Sequence, residues 1–126
     1  MGHEHKPVDI YPALLKAFNA GDIDAILACY EPQAHYVPKS GHVARGAAEL
    51  REIFRATISY KPKLELDVRK ITSAGDDLAL VVVEWKTKIV SSSGEAKVSA
   101  GTATDIVRRQ ADGTWKIVLD VPYGVE

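Results

Sequence analysis

The sequence predicts a single α+β domain, with helices first and a long antiparallel sheet after them. Apolar residues recur at helical spacing up to about residue 59, and from Leu64 onward the period changes to two. Residues 78–85 are apolar on both alternations, which indicates a strand covered on two sides. The segments that flank this strand are rich in Asp, Ser and Gly, as hairpin turns are. These observations together favour helices packed on one face of a bent sheet.

Length and composition suit one globular domain that has no charged macromolecular partner. The chain has 126 residues, 46% of them hydrophobic and 26% charged, which is ordinary for such a domain. A net charge of -1 means that the chain lacks the excess positive charge that binds nucleic acid or an anionic membrane, so neither partner is expected. Cys29 is the only cysteine and lies in an apolar helical pattern, which predicts a buried core residue. With no disulfide and no apolar leader, we expect a cytoplasmic protein.

No motif indicates a metal or an organic cofactor. His3 and His5 supply only two imidazoles, and we expect residues 1–8 to be a loosely held, solvated terminus of a domain spanning residues 1–126. The sequence has no Gly-rich phosphate loop, no Cys/His set with metal-ligand spacing and no serine nucleophile elbow. We therefore predict neither a metal site nor a cofactor site.

Three helices are predicted in the first half of the chain. Asp9 can cap the first helix, and Gly21 can end it in a left-handed conformation. Asp22 can cap a second helix, whose inward residues are expected to extend to Tyr30. A third amphipathic helix is predicted over residues 46–59.

Five strands are predicted around and after the third helix. A short one is expected before that helix and four longer ones follow it: residues 34–37, 64–72, 78–89, 97–109 and 114–121. Because the last four follow one another through short turns, they predict an antiparallel meander.

Several short motifs carry a resemblance to a known family. They are residues 19–25 (Asn-Ala-Gly-Asp-Ile-Asp-Ala), 30–32 (Tyr-Glu-Pro), 45–46 (Arg-Gly), 49–51 (Glu-Leu-Arg) and 108–118 (Arg-Arg-Gln-Ala-Asp-Gly-Thr-Trp-Lys-Ile-Val). Between residues 10 and 124 the chain resembles the SnoaL-like and ketosteroid-isomerase-related domains of the nuclear transport factor 2-like superfamily. The resemblance implies a cone, in which a strongly curved antiparallel sheet wraps around three N-terminal helices and encloses an apolar cavity. It also implies a homodimer through the outer sheet face, which would cover the second side of residues 78–85.

The resemblance implies a catalytic set of which this chain keeps one member. True isomerases of the family use a tyrosine in the first helix, an aspartate base on the first strand and a protonated aspartic acid on a late strand. Leu14 stands at the position of the tyrosine, and no carboxylate stands at that of the base. Asp105 does match the protonated aspartic acid. We therefore do not expect steroid isomerisation, although Tyr11, one turn before Leu14, could compensate for the missing tyrosine.

Hairpin geometry gives an inference that does not depend on the family. If Asp112 and Gly113 form a two-residue turn, Asp105 lies directly opposite Asp120. The same register sets two apolar pairs beside them: Ile106 with Leu119, and Val107 with Val118. Opposed carboxylates repel unless one keeps a proton, so we predict a coupled acid pair with one protonated member. The structural alternative is that an odd-length loop or a bulge shifts the register, or that arginine or tyrosine side chains neutralise the pair as a structural cluster.

Further candidates for the cavity are a histidine, several aromatic residues and a leucine. His35 and Tyr36 alternate along the first strand, so only one can face inward. His35 is a candidate acid or base, and Tyr36 a candidate donor to an oxyanion. Five further residues could wall the cavity: Tyr11, Leu14, Phe54, Tyr60 and Trp85.

Three classes of function fit these features. The first is an enzyme that acts on a small apolar or amphipathic molecule by proton transfer without a cofactor, as an isomerase, dehydratase or cyclase. The second is a protein that binds such a molecule without converting it. The third is a dimerisation module. An enzyme should bring two or more polar groups together on one wall of the cavity, whereas a carrier needs only one anchoring group.

Overall fold

The computed structural model describes residues 6–38 and 41–124 and has the predicted helices and strands in order, with one further short strand, Ala44–Arg45, that was not predicted. The helices are α1 (Ile10–Ala20), α2 (Ile23–Leu27) and α3 (Gly46–Ile58), with a 3₁₀ turn at Pro7–Asp9. The strands are β1 (Tyr30–Tyr36), β2 (Ala44–Arg45), β3 (Lys63–Ala74), β4 (Leu78–Val90), β5 (Ala96–Arg109) and β6 (Trp115–Val121). The prediction for His3 and His5 lies outside the described residues. None of the described helices is both long and apolar enough to cross a membrane.

One curved, open sheet contains all six strands, in the order β2-β1-β6-β5-β4-β3. Neighbouring strands are antiparallel except for β1 and β6, which are parallel. Irregularities in β1, in β3 near Arg69 and in β6 shift the register, and such bulges bend a sheet. The predicted α+β fold with a strongly curved, mainly antiparallel sheet and N-terminal helices is confirmed.

The helix boundaries follow largely from their end residues. Gly21 ends α1 in the left-handed region (φ 69°), where a side chain would be strained. The Asp22 carboxylate accepts a hydrogen bond from the Ala25 N–H at 3.1 Å and caps α2 as predicted. Asp9 behaves differently, because it belongs to the preceding 3₁₀ turn and accepts from the Lys6 N–H at 2.8 Å. Asp9 therefore occupies the predicted N-cap position of α1, but its side chain makes no capping hydrogen bond there.

The second helix is shorter than predicted, and the strand after it begins earlier. Helix α2 ends at Leu27, and Tyr30 is the first residue of β1 instead of the last inward residue of a helix. The reason is a distant partner, because Tyr30 pairs with Ile117 of β6 and the Ile117 N–H donates to the Cys29 carbonyl at 2.8 Å. The register of β1 shifts around Pro32, which has no N–H to contribute to a ladder.

The core lies between the helices and the concave face of the sheet. In β4 the residues that face the helices are at most 1% exposed: Ala79, Val81 and Val83. The other alternation is more open, with Leu80 41% exposed and Val82 half-buried. Within the single chain, therefore, one side of residues 78–85 is covered, and the cover predicted for the other side, a partner chain, stays a prediction. Cys29 is buried in the core as predicted.

Candidate functional site

Two aspartates oppose each other on the concave face of neighbouring strands. Asp105 of β5 pairs with Asp120 of β6, and Ile106 pairs with Leu119, as the hairpin register predicted. The alternative that a bulge separates the two aspartates is thereby excluded.

The turn and the residue pairings that produce this register differ from the predicted ones. The turn contains five residues, 110–114, because Arg109 already pairs with Trp115. Val107 pairs with Ile117, which leaves Val118 as an extra residue in β6. The two-residue turn and the pairing of Val107 with Val118 were therefore wrong predictions. The odd-length loop shifts the register by one residue and the bulge shifts it back, so the aspartates still meet.

A tyrosine hydroxyl binds each aspartate of the pair. Tyr11 of α1 donates to Oδ2 of Asp105 at 2.8 Å, and Tyr30 of β1 donates to Oδ2 of Asp120 at 2.6 Å. The carboxyls are almost fully enclosed, with Asp105 3% and Asp120 7% exposed. Four chain segments thus bring four polar groups to one place. We call these residues, Tyr11, Tyr30, Asp105 and Asp120, the acid cluster.

Burial and mutual repulsion favour a shared proton on the two carboxyls of the acid cluster. Burial first, then the charge of Asp120 and a hydrogen bond with its carboxyl, raise the pKa of Asp105 well above its ordinary value of 3.8, while hydrogen bonds from the Tyr11 hydroxyl and the Val121 backbone N–H oppose the rise. Burial also raises the pKa of Asp120, but hydrogen bonds from Asp105 and Tyr30 oppose the rise. No donor among the described residues reaches Oδ1 of Asp105, so that oxygen is satisfied when it carries the shared proton. Asp105 is then the acid, and Asp120 is the carboxylate that accepts from it.

The tyrosines around the carboxyls stay protonated. Burial first, and then the carboxyl charges, raise the pKa values of Tyr11, Tyr30 and Tyr36 above the ordinary value of 10.0. Each can therefore donate a hydrogen bond at any physiological pH. The Tyr36 ring packs edge-on against Phe54 at 5.5 Å, and its hydroxyl makes no hydrogen bond within the part of the chain that the structure describes. Tyr36 is thus free to donate to a bound molecule.

A cavity of about 240 Å³ lies between α1, α3 and the concave face of the sheet. Seven predicted site residues line it: Tyr11, Leu14, Tyr36, Phe54, Trp85, Asp105 and Asp120. The remaining lining residues were not singled out from the sequence: Phe18, Tyr30, Thr57, Leu64, Leu66, Val83, Thr87, Ser99, Ala103, Pro122 and Tyr123.

Two predicted site residues lie elsewhere. His35 neighbours the inward-facing Tyr36 in β1, so its side chain is on the opposite face of the sheet. Within the sheet its register partners are Leu119 of β6 and Arg45 of β2. Tyr60 follows α3 and is 66% exposed. Neither position supports a role at the cavity.

The C-terminal turn closes one wall of the cavity through Trp85. The Trp85 Nε1–H donates to the Pro122 carbonyl at 2.6 Å, and its ring meets that of Tyr123 edge-on at 5.5 Å. Gly101 lies opposite Trp85 in β5, and a Cβ there would come within 2.8 Å of the indole ring. Glycine at this position lets the large ring lie flat across the neighbouring strand.

The comparison with families gives one match, which covers most of the chain. Residues 12–118 match the model of the SnoaL-like domain family. No curated protein matches the chain.

Within residues 6–38 and 41–124, no three histidine, cysteine or carboxylate side chains are grouped so that they could hold a metal ion.

Solved structures of similar shape come from several bacteria. A ketosteroid isomerase-like protein from Erwinia carotovora atroseptica is 20% identical with a TM-score of 0.79, and the match covers 91% of this chain and 90% of that one. A nuclear transport factor 2-like protein of unknown function from Shewanella oneidensis is 22% identical with a TM-score of 0.77, and the match covers 90% of this chain and 93% of that one.

A third similar structure is a protein from Xanthomonas campestris described as a putative calcium/calmodulin dependent protein kinase II association domain. It is 18% identical with a TM-score of 0.80, and the match covers 90% of this chain and 81% of that one. Identities this low establish a common fold and leave activity open. Together with the family match they confirm the resemblance inferred from the sequence, and the chain belongs to the SnoaL-like domain family, with a nuclear transport factor 2-like, cystatin-like fold.

Proposed function

We propose that this protein binds a small, largely apolar molecule in its cavity and moves a proton on it without a cofactor, as an isomerase, dehydratase or cyclase does. One observation carries the proposal: Asp105 and Asp120 face each other at the cavity wall, each held by a tyrosine hydroxyl. A neutral acid beside a carboxylate is the arrangement that general acid–base catalysis needs. More than one polar group converges on this wall, which favours an enzyme over a passive carrier.

Each group of the site has a distinct part in the proposed reaction. Asp120, the carboxylate, accepts a proton from the bound molecule, and Asp105 donates a hydrogen bond or a proton. Tyr36 donates from its hydroxyl to a substrate oxygen on which negative charge develops. Tyr11 and Tyr30 are positioning residues, because their hydroxyls are already used by the carboxyls.

Isomerisation of steroids by the familiar mechanism is not part of this proposal. Leu14 lines the cavity where that mechanism needs a tyrosine, and the inward residue at the end of β1 is Tyr36, with no carboxylate at the position of the base. Tyr11 reaches Asp105 from one turn earlier on α1, so it restores a tyrosine to the site without restoring the base. The proposed substrates are therefore other small molecules that fit in the cavity.

Solvent deuterium exchange tests the proposed chemistry with model compounds, before the natural substrate is identified. The protein is incubated in D₂O with small cyclic ketones, such as cyclohex-3-enone, and NMR follows deuterium entry next to the carbonyl. We expect exchange above the buffer rate, and Asp120→Asn to lower it by about 100-fold or more. The matched control is Asp67→Asn, because Asp67 is an exposed carboxylate paired with Arg69 on β3. Compounds that bind in NMR titrations but exchange no faster than in buffer would refute catalysis and leave a binding protein.

Native mass spectrometry of protein from its own cells complements the exchange assay. A co-purifying molecule would identify the natural ligand directly, and its carbonyl or hydroxyl groups would show which proton can move. A molecule that Asp120→Asn still retains at the same occupancy, without conversion, would favour the binding-module alternative.

We further propose that the protein is a homodimer joined through the convex face of the sheet. Two observations support this: the partly exposed apolar residues of β4, Leu80 and Val82, and the solved relatives from Xanthomonas campestris and Thiobacillus denitrificans described as putative association domains. Light scattering of the Leu80→Lys variant should show a monomer. Tyr60→Lys, which changes an exposed residue away from the sheet, should leave the dimer intact. A wild-type monomer at high concentration would refute this assembly.

A further inference from the structure

The cavity contains acidic groups without a basic residue to balance them. Asp105 and Asp120 both line it, and none of its lining residues within the described ranges is a lysine, arginine or histidine. Among the residues that the structure describes, the groups that support the charge of Asp120 are hydrogen-bond donors, the carboxyl of Asp105 and the Tyr30 hydroxyl. A buried charge without a counter-charge is costly. A bound molecule that carries a positive charge would remove that cost.

Aromatic rings surround the same space. Phe54 lies 5.5 Å from Tyr30 and from Tyr36, and Trp85 lies 5.5 Å from Tyr123, measured between ring centroids. All five rings line the cavity. Aromatic rings attract organic cations through their π faces, and cages of such rings are a known means of binding quaternary ammonium groups. The aromatic wall is thus an observation independent of the carboxyls that points to the same kind of ligand.

We propose that the cavity is selective for a small organic cation, an amphipathic amine or ammonium compound whose charge lies beside Asp120 and whose apolar part contacts the aromatic wall. This inference rests on the proposed function in taking the cavity as the ligand site, and it narrows the substrate class to amines. It also excludes anions, because a carboxylate or phosphate would meet two carboxyls and no cation.

Binding of a cation has a consequence for the shared proton of the acid cluster. Three tyrosines face the two carboxyls, Tyr11 from α1 and Tyr30 and Tyr36 from β1, and all remain neutral donors. No cationic group among the described residues lies with them at the cavity wall. A positive charge close to the pair favours the state in which both carboxyls are ionised. We therefore expect the protein to release a proton when a cation binds.

Isothermal titration calorimetry with three benzyl compounds tests the charge selectivity. The probes are benzyltrimethylammonium, benzyl alcohol and benzoate, which share a ring and differ in charge. We expect the cation to bind at least about tenfold more tightly than the alcohol, and benzoate to bind more weakly than both. Titrations in buffers of different ionisation enthalpy report proton release. Because benzyltrimethylammonium has no acidic proton, any proton released comes from the protein.

Two asparagine variants separate the acid cluster from general surface charge. Asp120→Asn keeps the shape of the side chain and its oxygen for Tyr30, so we expect the protein to fold while its preference for the cation and its proton release disappear. Asp67→Asn removes an exposed carboxylate and should retain both. Circular dichroism and thermal unfolding confirm that each variant is folded before it is titrated.

The possible outcomes distinguish this inference from the proposed function. Equal or tighter binding of benzyl alcohol, or no binding of the cation, overturns cation selectivity even if deuterium exchange is observed. Cation selectivity without exchange in any amine-bearing ketone supports the ligand class and refutes catalysis. Selectivity that survives in Asp120→Asn also overturns the inference, because the charge would then be recognised elsewhere.

Discussion

The two halves of the acid cluster have the same chemistry and different surroundings. In each half a tyrosine donates to an aspartate Oδ2, but the distance is 2.8 Å from Tyr11 to Asp105 and 2.6 Å from Tyr30 to Asp120. The tyrosines come from different elements, Tyr11 from α1 and Tyr30 from β1, and only Asp105 keeps a buried oxygen that no donor reaches among the described residues.

This difference shows how one hairpin can give two identical side chains different chemical roles. Each carboxyl receives two hydrogen bonds, Asp105 from Tyr11 and the Val121 backbone N–H and Asp120 from Tyr30 and Asp105. Only Asp105 keeps a buried oxygen, Oδ1, that no donor reaches among the described residues. That oxygen is satisfied when it carries the proton, which favours Asp105 as the acid.

The largest expected effect is on catalysis, and it is unequal between the two aspartates. Asp120→Asn removes the proton acceptor, and we expect deuterium exchange to fall by about 100-fold or more. Asp105→Asn should lower the exchange rate less, because the asparagine amide still donates a hydrogen bond to Asp120. Rates measured for both variants on the same ketone test this order. A greater loss in Asp105→Asn would mean that the acid and the base are assigned the wrong way round.

The next effect is on stability and its dependence on pH. Because the pKa of Asp105 is raised in the folded protein, the folded state holds a proton that the unfolded state loses above about 3.8. Wild-type stability should therefore decline from that pH up to the raised pKa, by about 1.4 kcal/mol for each unit between the two values. Asp105→Asn removes this decline, so its stability relative to wild type should rise between pH 3.8 and the raised pKa.

Urea denaturation of both proteins at several pH values measures this difference. Below the pKa of the unfolded aspartate the gap between them should be constant, and it should widen as the pH rises. Asp67→Asn is the control for loss of a surface carboxylate and should follow the wild-type curve. A constant gap at all pH values would show that Asp105 ionises normally.

Periodicity and turn residues were sufficient to predict most of the fold. The three long hairpin strands, β3, β4 and β5, were predicted to within two residues at every end, because they combine period-two patterns with Gly, Asp and Ser turns. The start of β1 could not be predicted in the same way. Tyr30 continues the apolar spacing of α2, and only its pairing with Ile117, far along the chain, makes it a strand residue. Local patterns carry no information about such a partner.

The candidate site was predictable only in part. Strand parity brought Asp105 and Asp120 together, but it succeeded because an odd-length turn and a bulge at Val118 compensate each other. The two tyrosines of the cluster are 94 and 90 residues from their aspartates, and no spacing rule connects them. Tyr11 was recognised as a possible substitute for a missing tyrosine, whereas Tyr30 was assigned to the wrong element.

The smallest predicted effect compares the two tyrosines directly. Tyr30→Phe removes a hydrogen bond to a charged carboxylate and should cost about 1.5–3 kcal/mol of unfolding free energy, against about 0.5–1.5 for Tyr11→Phe, whose acceptor is neutral. Tyr36→Phe is the matched control, since its hydroxyl bonds to none of the described residues, and it should stay within about 0.5 kcal/mol of wild type.

Measurements at acidic pH test the same comparison between Tyr30→Phe and Tyr11→Phe. When both carboxyls are protonated, both tyrosines donate to neutral acids, so the difference between Tyr30→Phe and Tyr11→Phe should disappear as the pH falls. Urea denaturation at neutral and acidic pH measures it. If Tyr11→Phe is the more costly change at neutral pH, the charge resides on Asp105. The base for proton transfer would then have to be sought on β5.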